Sequence, residues 1–169
     1  MNNGKNVLLG VLAIILGLIV IAFPLISVFT FSVMTGLGVL FLGIWFVVQT
    51  SAIWEKSKAY SIVYFILGIF AIITGIGLIG NIVAFSYLAS FVLYIAGFLV
   101  IISGILTIFS GKGTSSVGTG FLGIIMGILY ILLGSYAWNP YFLAILIGFW
   151  LIISGIFQFF AKDLEVVPK

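Results

Sequence analysis

The chain has 169 residues, 64% of them hydrophobic and only 5% charged, with a formal net charge of +3 and neither cysteine nor histidine. A soluble domain carries roughly a quarter charged residues, so this chain cannot cover a globule with polar surface, and water is not its main solvent. The lack of Cys excludes a disulfide framework and a thiolate site. The basic balance rests on a handful of lysines and reads as membrane topology, so no nucleic-acid partner is expected.

A helix needs about 20 mostly apolar residues to cross a hydrocarbon core of roughly 30 Å. Six stretches qualify, near 6–24, 29–50, 59–79, 86–109, 119–138 and 141–161. Runs such as "GVLAIILGLIVIAF" are apolar on every side, whereas strands of a membrane barrel alternate apolar and polar residues. Between the stretches stand Pro24, "SAIWEKSKAY", Asn81, "SGKGTSSVGTG" and the Asn139–Pro140 pair. The first stretch follows Lys5 but is longer than a signal core and has no small-x-small site after it, so a retained helix is expected. The fold class is therefore all-α: an integral membrane protein with six transmembrane helices.

All six basic residues are lysines: Lys5, Lys56, Lys58, Lys112, Lys162 and Lys169. With six spans they fall at the two termini and in the second and fourth connections, on one side of the membrane. Cytoplasmic loops collect Lys and Arg, so both termini are expected in the cytoplasm of a cell whose cytoplasmic (inner) membrane holds the chain. Glu55, Asp163 and Glu165 lie on the same side and hardly affect the rule. Trp54 and Tyr60 flank the lysine loop, and Tyr136, Trp138 and Tyr141 surround the opposite turn, where amphipathic rings suit the headgroup level.

The segments "VIISGIL" (100–106) and "LIISGIF" (151–157) agree at five of seven positions, and "LFLGIWF" (40–46) is their counterpart near the start of the chain. Glycines define the repeating unit. Gly10 with Gly17, Gly68 with Gly75, and Gly127 with Gly134 mark the odd helices. Gly36 with Gly43, Gly97 with Gly104, and Gly148 with Gly155 mark the even ones. Random placement of the 21 glycines gives roughly two or three seven-residue pairs, so a pair in every helix marks self-similarity. Further pairs in and beside the linker 111–120 are given no weight.

Seven residues are about two turns, which sets both glycines of a pair on one helix face. In lipid, helices associate through close backbone approach at small residues and through interhelical hydrogen bonds. These twelve glycines are the helix-packing candidates, with Ser103 and Ser154 adding a hydroxyl beside the approach site that bonds its own helix or crosses to a neighbour. Each unit is a helix, an uncharged turn with Pro24, Asn81, or Asn139 and Pro140, and a second helix. Three parallel two-helix repeats result, over about 5–52, 59–110 and 118–162, with a short tail at 163–169. The turn residues either cap helix starts or form a polar vestibule, and capping is the simpler role.

The spacing Gly10–Gly17–Pro24, its relaxed copy Gly127–Gly134–Pro140 and the turns at Gly43, Gly104 and Gly155 resemble the HdeD-like family of small six-helix membrane proteins. Copy two departs from that pattern, with Asn81 near the proline position. The resemblance covers nearly the whole chain. It implies a stress- or acid-resistance-associated protein of the inner membrane, with no catalytic residue to carry over.

The available chemistry is narrow. Zinc sites need Cys, His or carboxylates, and acid–base or triad catalysis needs a titratable partner. No Asp or Glu lies between Glu55 and Asp163. The chain is expected to be no enzyme, with no catalytic, metal or cofactor-binding residue. Polar groups at membrane depth are Ser32, Thr35, Gln49, Thr74, Ser90, Ser103, Thr107, Ser154 and Gln158. Most suit helix–helix contacts; Gln49 and Gln158 either snorkel to water or line an opening suited to a neutral solute. The linker 110–120 lacks the strand and the G-K-[ST] order of a phosphate loop. Expected partners are membrane lipid, further copies of the chain or another membrane protein. The competing readings are a non-enzymatic membrane component, a passive facilitator for a small neutral solute, and a lipid-binding protein.

Overall fold

A computed structural model of the chain describes residues 3–55, 57–110 and 114–160, with the backbone alone for 3–5 and 114–115. Lys56, Lys112, Lys162, Lys169, Asp163, Glu165, the tail 163–169 and the Lys5 side chain lie outside the described residues. Six helices follow one another: α1 (Asn3–Ala22), α2 (Pro24–Trp54), α3 (Lys58–Leu78), α4 (Ile82–Ser110), α5 (Thr114–Ala137) and α6 (Pro140–Phe160). From α2 onward each is long and apolar enough to cross a membrane, and α1 contributes the apolar stretch Asn6–Ala22. The chain is a multi-pass membrane protein.

Several helices outrun the sequence expectation. α2 begins at Pro24 rather than near 29, because proline is well placed in a first turn, where its missing N–H has no partner to lose. α3 and α2 close in on Lys58 and Trp54, leaving only 55–57 of the expected ten-residue break. The linker read over 110–120 shrinks likewise: Ser110 ends α4, and Thr114 already starts α5. Gly118 and Gly120 are helical there, and at Gly120 close packing on the Gly104 carbonyl overrides a glycine's weak helix preference.

The helices pair across the lysine-bearing connections, α2 with α3 and α4 with α5, while the first and last helices of the chain pair with each other. All three pairs are antiparallel and extensive. Contacts within a sequence hairpin (α1 with α2, α3 with α4, α5 with α6) are slight by comparison. Each glycine-marked seam thus joins one repeat to the next, and α1 on α6 closes the circle.

The pairs meet at one end only. Val20, Val28, Ala137, Leu143 and Ala144 form the buried cluster, with Phe31, Phe85, Ala89, Leu93, Ile147 and Leu151 packed on it. These residues surround the turns at Phe23, Asn81 and Asn139, here called the turn end. Towards the opposite or lysine end, where Lys58 stands exposed, the seams bury glycines and Ser61, but no apolar side chain is buried between pairs among the described residues.

Candidate functional site: glycine seams and a hydroxyl-edged inner face

Glycines of one helix meet glycines of its partner in rungs. A β-carbon added to Gly10 would lie 2.7 Å from the Gly155 carbonyl oxygen, and one on Gly17 2.7 Å from that of Gly148. In the second seam Gly75 would meet the Leu40 amide nitrogen at 2.6 Å and the Gly36 carbonyl at 2.9 Å, while Gly43 faces the Gly68 carbonyl at 2.8 Å. Every such approach involves backbone, which cannot swing aside as a flexible side chain can. The glycine hydrogens point at these oxygens, and Cα–H···O contacts of this type are worth roughly 0.5–1 kcal/mol each.

The third seam departs from the expected register. Gly97 faces the Gly127 carbonyl at 2.7 Å and Gly104 faces that of Gly120 at 2.7 Å, so the working pair on α5 is Gly120 with Gly127. Gly134 sits one rung further on, where an added β-carbon would stay 3.3 Å from the Ser90 carbonyl, a much milder contact. Gly120 stands among the linker glycines, whose pairs carry no weight by spacing alone. Its seven-residue spacing to Gly127 was the signal available, obscured by its neighbours Gly118 and Gly123.

Two seams are extended by a hydroxyl rung. Ser90 Oγ donates to the Gly134 carbonyl (2.7 Å), and Ser61 Oγ donates to the Thr50 carbonyl (2.5 Å). Both serines are almost fully buried. They lie seven residues from Gly97 and Gly68, so they continue the glycine stripe in a small residue that can also donate across. The hydroxyls beside the "SG" glycines behave differently: Ser103 and Ser154 are exposed on the flank of the seam. Thr107 Oγ1 bonds its own helix at the Ser103 carbonyl (2.8 Å).

At the turn end, Asn81 Oδ1 accepts from the Ala84 amide (3.0 Å) and Asn139 Oδ1 from the Tyr141 amide (3.0 Å). Each thereby occupies donors that the first turn of a helix leaves free. Pro24 and Pro140 open α2 and α6. Gly80 precedes Asn81 with φ +71°, the left-handed conformation that ends α3 and that a β-carbon would strain. Trp54, Tyr60, Tyr136, Trp138 and Tyr141 are all exposed, and Tyr136 packs its ring on Phe142 at 5.7 Å.

The inner faces of the even helices change character along their length. On α4, Ala89 and Leu93 face the core cluster. Ser103 and Thr107 lie fourteen residues further on and share that stripe. On α6, Ile147 and Leu151 give way to Ser154 and Gln158, seven residues on; on α2, the Val28 stripe runs through Leu42 to Gln49. Apolar contact at the turn end thus becomes hydroxyl and amide towards the lysine end. The face of α4 that carries Leu99, Ile102, Ser103, Leu106, Thr107 and Ser110 is shallow and open. No three His, Cys, Asp or Glu side chains come together among the described residues.

Three segments, 8–80, 66–138 and 141–163, match the family described as "Short repeat of unknown function (DUF308)". The chain belongs to this family. The first two matches overlap on α3 and each covers three helices, while the third falls on α6, so the family unit recurs along the chain as the glycine pairs do. No curated protein and no solved structure matches.

Proposed function

We propose that the chain is a non-enzymatic, HdeD-like component of the cytoplasmic membrane, associated with stress or acid resistance. It occupies the bilayer and acts by associating with lipid, another membrane protein or further copies of itself, with both termini in the cytoplasm. The observation that carries this reading is the pairing of every helix through bare backbone, with only uncharged polar groups along the middle of the spans. Intramembrane proton relays normally use carboxylates or imidazoles, and none is present there. Because the glycine seams are used within one chain, association with further copies falls to the exposed apolar surfaces.

Two experiments test this. In the naturally Cys-free chain, Ser57→Cys and Trp138→Cys should react with a membrane-impermeant thiol reagent from opposite sides, Ser57→Cys only after permeabilisation. Labelling of both from outside intact cells would overturn the orientation. Deletion of the chain should lower survival of acid exposure, with rescue by the wild type but not by Gly155→Leu; unchanged survival would remove the acid association.

The hydroxyl- and amide-bearing inner stripes favour a second reading, a passive facilitator for a small neutral solute. Vesicles containing the protein then conduct such solutes faster than protein-free vesicles, and absence of flux across several solutes removes it.

A further inference from the structure

We infer that the seam between α1 and α6 is exchangeable between copies: α1 of one chain docks on α6 of a second, and two chains hold each other by swapped first helices. This rests on the reading of the chain as a membrane protein that associates with further copies. It adds a route besides the exposed apolar surfaces, which serve association of closed chains.

The three seams are one contact made three times. A β-carbon added to Gly155 would lie 2.7 Å from the Gly10 carbonyl, one on Gly104 2.7 Å from that of Gly120, and one on Gly43 2.8 Å from that of Gly68. Each seam joins the second helix of one repeat to the first helix of another, which is a head-to-tail contact. Its two faces are complementary whether they belong to one chain or to two. The α2–α3 and α4–α5 seams are closed by the short connections 55–57 and 111–113, which keep the partners at high effective concentration. α1 is joined to α6 only through the four helices between them.

Apart from that seam, α1 is lightly held. Its contact with α2 is slight, and among the described residues only Val20 of α1 enters the buried cluster. α6 places Leu143 and Ala144 in the cluster and packs Ile147 and Leu151 on it, so α6 stays seated when α1 leaves. Phe23 alone separates α1 from α2, and Pro24 has no N–H to bond back to the last carbonyls of α1. Rotation at Phe23 swings α1 within the plane of the bilayer. The helix remains a span antiparallel to α2, its backbone stays satisfied internally, and no polar end crosses lipid. Each seam lost inside one chain is regained between two, which is why swapping of an identical element is a low-cost route to a dimer.

The test uses two full-length chains with different affinity tags, co-expressed in one membrane. Ile14 and Ile152 lie opposite each other in the seam: a β-carbon on Gly155 would be 2.8 Å from Ile14 Cγ1, and one on Gly17 2.7 Å from Ile152 Cγ1. The natural sequence has no cysteine, so Ile14→Cys in one chain and Ile152→Cys in the other supply the sole thiols. A short bis-maleimide should join the two tagged chains. Leu40→Cys and Ile72→Cys, placed likewise in separate chains, span the connected α2–α3 seam and should cross-link about tenfold less. Ile14→Cys and Ile152→Cys in a single chain should cross-link internally as well, which shows that the reagent reaches a folded seam. Cross-linking confined to that single chain, or equal yields between chains across the two seams, overturns the inference. Tags that co-purify without a cross-link between Ile14→Cys and Ile152→Cys also overturn it, and leave self-association through the exposed surfaces standing. Absence of co-purification removes both routes.

Discussion

The two ends of the molecule are built on different principles. At the turn end, side chains from separate helix pairs interlock: Val28, Ala137 and Ala144 have no exposed surface, and Leu143 retains 4%. At the lysine end each pair is held by its own seam, and the faces between pairs stay open. One end joins three units into one molecule; the other lets each unit stand beside the others. In lipid this division is physically reasonable. Apolar side chains gain little by leaving lipid for protein, so cohesion has to come from close packing and backbone contact, and it appears only where shapes meet.

Breaking a seam should have the largest effect. Gly155→Leu places a side chain against the Gly10 carbonyl and separates α1 from α6, the pair with no connecting loop to hold it. We expect loss of the folded form in mild detergent, a destabilisation on the order of 3 kcal/mol or more, read by thermal melting. Gly104→Leu should do similarly, whereas Leu at Gly38, which has nothing within 4 Å, should be close to neutral. Equal stability of all three would end the claim that seams hold the pairs.

Interlocking at the turn end predicts a next, smaller effect. Ala144→Leu overfills a site with no exposed surface and should cost about 1–3 kcal/mol. Accessibility of Ser103→Cys to a thiol reagent should rise little with it if the lysine end is already open, a point that labelling kinetics can check. Smaller still is Ser90→Ala, which removes the donor to the Gly134 carbonyl and should cost about 0.6 kcal/mol. At the bottom of the order, Ser154→Leu on the open face should leave the melting temperature within error. A large loss there would mean that the lysine end is as tightly joined as the turn end.

Gly120 and Gly134 mark the point beyond which spacing carries no information. Both lie seven residues from Gly127, so spacing alone ranks them equally, and only the partner helix decides which glycine meets glycine and which meets Ser90. Ser90 is legible as a polar group at membrane depth and Ser61, near the start of α3, is not; for both, the hydroxyl's acceptor depends on what lies across the seam. The α1–α6 seam joins opposite ends of the chain, and no local signal could announce it. On α4, Ser103 and Thr107 are legible as polar groups at membrane depth, whereas the exposure of Ser103 is a property of how the pairs splay.

Sequence by itself determined six apolar helices and the stripe of each helix where a backbone can be approached, because these follow from hydropathy and helical period. Tertiary structure decided which stripes meet, in which register, and that the pairs close together only at the turn end. Those choices depend on the shapes of surfaces brought together from distant parts of the chain, and a heptad repeat leaves several registers equally open until the partner is in place.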